Sequence, residues 1–60
     1  MMQKIIIEKQ ITVDDFFIAR GLDPKLYFIS KDGKMVQDNK EQLKVGDNIM
    51  VIARISGGLL

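Results

Sequence analysis

The residues of this chain most open to chemistry follow its last apolar run. Ile49 to Ile55 reads as a strand, and it stops at Ser56-Gly57-Gly58-Leu59-Leu60. Glycine has no side chain, reaches the widest range of backbone angles and loses the most entropy on ordering. Two in tandem beyond a strand add nothing to a core. They suit a tail that threads a slot too narrow for any Cβ and offers a backbone carbonyl to a partner's chemistry. A frayed terminus accounts for the same dipeptide, since disorder concentrates at chain ends. The elements upstream decide between the two.

The other reactive groups have plainer explanations. Asp14 and Asp15 are neighbours in the sequence, and on a helix adjacent residues project about 100° apart. Carboxylates in a first helical turn are favoured by the helix dipole, so this pair reads as structural rather than as an acid–base couple. Asp32 and Asp47 sit in turn sequences. Ser30 and Ser56 have no histidine anywhere in the chain to activate them. Tyr27 and Phe28, between Lys25 and Lys31, could stack on a single-stranded base. A strand with Phe28 in the core and Tyr27 half-exposed is the more ordinary expectation. The glycines follow neither a phosphate-loop nor a dinucleotide spacing. The expectation is that the chain is no enzyme and carries no cofactor, and is instead a substrate or ligand of enzymes.

Composition narrows the class. Sixty residues make one domain at most, a size that buries only about 60% of its unfolded surface. Without cysteine or histidine, neither disulfides nor the usual zinc sites can staple it. A hydrophobic content of 47% is too high for a disordered segment. The net charge is +1, with 9 basic and 8 acidic residues scattered along the chain, which gives no long-range pull towards nucleic acid or an anionic membrane. The longest apolar run, Ile5-Ile6-Ile7, is far short of a membrane span. No signal-peptide pattern opens the chain. A small soluble cytoplasmic domain is expected.

The elements that must position the tail follow in order. Gln3 to Lys9 reads as a strand apolar on both faces, which suits a central place in a sheet. Thr12 can cap a helix at Val13 and accept from the Asp15 amide. Ile11 and Phe16 hold the two positions of a hydrophobic staple, and Val13, Phe16 and Phe17 form one apolar stripe. Gly21 fits a left-handed helix end and Pro24 bars continuation, so the helix is predicted over Val13 to Arg20. Leu26 to Ser30 and Met35 to Gln37 read as strands, joined through Asp32-Gly33, a pair that accepts the positive φ angles of a tight hairpin. Asp38 to Lys44 reads as a surface arc with Leu43 and Val45 as apolar pegs, and Val45-Gly46-Asp47-Asn48 as a turn. On the last strand Ile49, Val51, Ala53 and Ile55 share one face. Met50, Ile52 and Arg54 share the other, the side expected to meet solvent.

Thr12-Val13-Asp14-Asp15-Phe16-Phe17, Gly21-Leu22-Asp23-Pro24, Lys31-Asp32-Gly33-Lys34-Met35-Val36, Leu43-Lys44-Val45-Gly46-Asp47 and the strand into Gly57-Gly58, taken together, resemble the small β-grasp sulfur carriers. These are the thiamin-biosynthesis sulfur carrier and the small subunit of molybdopterin synthase. The resemblance runs from Thr12 to Gly58. It implies an α+β, ubiquitin-like β-grasp fold: a mixed sheet of about four strands packed on one helix, with residues 1–56 as the domain and 57–60 as the tail. It also implies that the Gly58 carboxylate is adenylated by a ubiquitin-activating-type enzyme and converted to a thiocarboxylate. The sulfur then goes to an acceptor such as a thiazole synthase, or to tRNA thiolation. Ser56 and Gly57 would be the flexible lead, and Met50, Ile52 and Arg54 the face that docks the partner. A ubiquitin-like modifier conjugated through Gly58, or a non-conjugated β-grasp binding domain, would share the same frame.

Two departures from the family stand out. Leu59 and Leu60 follow the glycines, so a peptidase would have to remove them before Gly58 could react. The family also opens with a full hairpin, whereas eleven residues precede Thr12 here. The expected compromise is a shortened hairpin that keeps the first, central strand as Gln3 to Lys9. That strand should run parallel to Ile49 to Ile55, and finding the two antiparallel or unpaired would remove the β-grasp reading.

Overall fold

The computed structural model describes residues 2–54. In chain order the elements are β1 (Met2–Ile6), β2 (Ile11–Thr12), α1 (Val13–Arg20), β3 (Tyr27–Lys31), β4 (Lys34–Met35), β5 (Gln42–Leu43) and β6 (Asn48–Ala53). Four strands form one sheet in the order β1-β6-β3-β4, and β2 and β5 form a separate two-stranded ribbon. The helix covers one face of the larger sheet.

The helix has the predicted bounds, and its ends show why. Thr12 Oγ1 accepts from the Asp15 amide at 3.1 Å, while the Val13 and Asp14 amides donate to the carbonyls of Glu41 and Asn39 at 3.0 and 2.9 Å. Amides without an intrahelical partner at a helix start must find acceptors elsewhere, and the polar arc supplies them. At the other end Gly21 takes φ +65°, and the amides of Gly21 and Leu22 close onto Ile18 and Phe17. In the hairpin after β3, Asp32 and Gly33 both take positive φ, +50° and +87°, the pattern of a tight two-residue turn. The arc is more regular than expected, because Ile11 and Thr12 pair with Leu43 and Gln42. Leu43 is fully buried, but Val45, expected as a second peg, is exposed.

The expected direction of β1 is overturned. β1 pairs with β6 antiparallel, from Met2 opposite Ile52 to Ile6 opposite Asn48, not parallel. Every pairing among the described residues is antiparallel, so the sheet is not mixed. The reason lies in where the helix must start. Ile7 is bonded to the Gly46–Asp47 turn just before β6, so β1 ends beside the beginning of β6. The chain then enters the helix within a few residues. The segment after the helix meets the far end of β6, where the Arg54 amide donates to Leu26 at 2.8 Å. A parallel β1 would end at that far end and would need a returning strand before the helix. The few residues between Ile6 and Thr12 leave no room for such a strand, so β1 lies antiparallel beside β6.

The core lies between helix and sheet. Ile5, Ile7, Val13, Phe16, Phe17, Ile29, Leu43, Ile49 and Val51 are buried, with Ile11, Leu22, Tyr27 and Val36 packed around them. Ala53, expected among them, is half-buried.

Candidate functional site

β6 is flanked by β1 on one side and β3 on the other, so its alternation sets two faces for the whole sheet. Ile49 and Val51 point to the helix and are buried. Met50 and Ile52 point away and are half-buried, and Arg54 beyond them is exposed. Residues directly opposite on neighbouring strands share a face. The register sets Phe28 beside Ile52, Ser30 beside Met50 and Met35 beside Ser30. Lys4 and Ile6 lie opposite Met50 and Asn48. The helix-free face is therefore an apolar surface of Met50, Ile52, Phe28, Met35 and Ile6, with the cations Lys4 and Arg54. Ile6 and Met35 remain 55% and 59% exposed.

The proposed docking residues Met50, Ile52 and Arg54 come together on this face. Phe28 joins them, against expectation. The sequence pattern favours Phe28 in the core and Tyr27 half-exposed, but Tyr27 packs against the core and Phe28 lies on the open side. The signal that would have found it is the register with β6, since Tyr27 faces Ala53 and Phe28 faces Ile52. Local apolarity alone cannot choose between two adjacent aromatics.

The end of β6 is fastened from one side. Besides the backbone bond to Leu26, Arg54 Nε donates to the Pro24 carbonyl at 3.2 Å. Its guanidinium stands 5.5 Å from the centre of the Phe28 ring, within cation–π range. Whatever follows Arg54 leaves from this fixed point. Ser56, Gly57 and Gly58, the tail and modification residues named from the sequence, lie outside the described residues, as do Leu59 and Leu60.

The remaining polar groups hold the frame. Asp32 Oδ1 accepts from the Asn48 amide at 3.1 Å and Asp47 Oδ2 from the Lys44 amide at 2.8 Å, so both aspartates fix turns at the start of β6. Asp14 and Asp15 are exposed in the first helical turn. Lys31 pairs with Glu41 at 2.7 Å, and this hydrogen bond is the main cause that holds its ammonium above the usual lysine range. A cleft of about 270 Å³ lies between the outer edge of β1 and the helix, bounded by Ile6, Ile11, Phe16 and Ala19 with Glu8 and Arg20 at its rim. Among the described residues no cluster of histidine, cysteine or carboxylates could hold a metal, and no helix is long and apolar enough to cross a membrane. Against known proteins, the chain matches no protein-family model, no curated protein and no solved structure.

Proposed function

We propose that the chain is a small ubiquitin-like sulfur carrier. In this reading the helix-free face docks an adenylating enzyme, and Gly58, once Leu59 and Leu60 are removed, becomes the adenylate and then the thiocarboxylate. The observation that carries it is the setting of β6. The strand is held on both sides, pinned at Arg54, and borders an open apolar face with a cation at its exit. That combination suits a partner that grips the face and draws the following residues into its own active site. The strand order and the single helix support a β-grasp-like arrangement, while the antiparallel β1 counts against the complete β-grasp fold.

Activation needs a terminal carboxylate held in line with a nucleotide phosphate within a narrow tolerance of position. The test compares the chain ending at Gly58 with the chain ending at Leu60, each mixed with ATP and the adenylating enzyme of its own source. The shorter chain should form the adenylate and, given a sulfur donor, exchange one carboxylate oxygen for sulfur. The longer one should not react. Equal reaction of both defeats the processing step. Reaction of neither leaves a non-conjugated protein-binding domain, the reading that the reversed β1 favours. An amide bond from Gly58 to a protein amine, in place of a thiocarboxylate, would make the chain a modifier.

A further inference from the structure

Two edges bound the larger sheet. β4 is only two residues long and begins with Lys34, a short charged edge of the kind that discourages pairing. β1 is five residues long, and among the described residues nothing pairs with its outer side. The amide of Ile7 donates to Asp47 and its carbonyl accepts from Gly46, so Ile7 is bonded on the β6 side. In an antiparallel ladder alternate residues bond to one neighbour. Ile5 and Gln3 therefore turn to β6, while the backbone groups of Lys4 and Ile6 face outward. Glu8 lies two residues past the end of β1, beyond Ile7, whose bonds to the turn before β6 prolong the alternation.

We infer that this edge pairs with the same edge of a second copy, antiparallel about a two-fold axis through Ile6. Opposed residues decide the register, since opposite charges and apolar pairs stabilise a ladder and like charges weaken it. Centring the axis on Lys4 sets Lys4 against Lys4, and centring it on Glu8 sets Glu8 against Glu8. Centring it on Ile5 or Ile7 sets Ile6 against a charged residue. Only the Ile6 register is complementary throughout: Ile6 meets Ile6, and Lys4 meets Glu8 on both sides of the axis. The three side chains are available for this. Ile6 is 55% exposed although apolar, and Lys4 and Glu8 are exposed with no ion pair among the described residues. The axis leaves both helices on one face of a sheet continuous through both copies, and it brings the two clefts beside β1 together. The dimer takes Ile6 and Lys4 from the rim of the helix-free face and leaves Met50, Ile52, Phe28 and Arg54 open, so the inference does not depend on the carrier reading.

Sedimentation equilibrium tests it, from micromolar to about 1 mM chain, the range in which a small interface still associates. The parent should show a reversible monomer–dimer equilibrium. Lys4→Glu and Glu8→Lys should each weaken the dimer by roughly tenfold, since each turns two attractive pairs into two repulsive ones. The double variant Lys4→Glu/Glu8→Lys should recover to within about threefold of the parent, because each pair is restored with its signs exchanged. An equimolar mixture of the two single variants should dimerise better than either alone. One copy then carries carboxylates at both positions and the other carries ammonium groups at both, so each cross-axis pair is attractive. At a dilution where every form is monomeric, melting curves should coincide for all of them, and only at higher concentration should the parent melt later. A parent that stays monomeric throughout overturns the inference, as do single variants that dimerise like the parent or a double variant that stays as weak as the singles.

Discussion

On β6, Ile49 and Val51 are 1% and 4% exposed, whereas Met50 and Ile52, which alternate with them, stay half-buried. The strand offers similar apolar side chains to both faces, so hydrophobicity does not account for the difference. Cover does. The helix, the β2–β5 ribbon and Leu43 close one face. Across the other, Phe28, Met35 and Ile6 are held in place by the sheet but are not sealed from water. A domain this small has little apolar area to spare. Leaving part of it wet forgoes stability, and clustered exposed apolar surface is the usual sign of an interaction site. One face carries the fold, and the other is available for contact.

The comparison is most easily broken at Phe16. Its side chain is 3% exposed and meets Phe17 edge-on, with ring centres 6.2 Å apart. Phe16→Ala should cost about 3–5 kcal/mol, a large share of what a domain of this size possesses. A urea melt that matches the parent would remove the covered face from the centre of the fold. A smaller effect belongs to the helix cap. Thr12→Ala leaves the Asp15 amide without its side-chain acceptor and should cost about 1 kcal/mol, with the urea midpoint moved and the slope unchanged. Thr12→Ser should restore most of it. If serine restores nothing, packing of the threonine methyl group is responsible instead of the cap.

The features that were legible in the sequence are those set by neighbours along the chain. Thr12, Gly21 and Pro24 bound the helix, and Asp32-Gly33 fixes the hairpin, because each acts within a few residues. The features that were not legible depend on partners far away. β3 runs from Tyr27 to Lys31 instead of Leu26 to Ser30. Which of Tyr27 and Phe28 faces the core follows from their pairing with Ala53 and Ile52, and a one-residue slip in pairing exchanges the two faces. The direction of β1 is equally non-local. Ile5 and Ile7 point to the core whether the strand runs parallel or antiparallel, so their pattern carries no sign of direction. The decisive constraint is the short stretch between Ile6 and Thr12, which leaves no room for a returning strand between β1 and the helix. That Met50, Ile52 and Arg54 share a face was legible from the alternation of β6. Phe28, Met35 and Ile6 were not, because they join that face only through register.

The smallest expected change in stability falls on the open face, at Arg54. Its side chain is exposed and touches the frame through the Pro24 carbonyl and the Phe28 ring. A cation–π contact at an exposed site contributes about 0.5–1 kcal/mol, and the backbone bond to Leu26 is untouched by substitution. Arg54→Glu should therefore lower stability by no more than about 1 kcal/mol. Its effect on the partner should be far larger. The guanidinium is the cation nearest the exit of β6, and reversing its sign changes the field that an incoming surface meets. The rate of complex formation with the proposed adenylating partner should fall and become less sensitive to salt, while the melting curve stays close to the parent's. Parallel losses of melting temperature and binding would make Arg54 a structural clamp on β6. Unchanged binding would place the docking surface elsewhere and leave the apolar open face without a cationic guide.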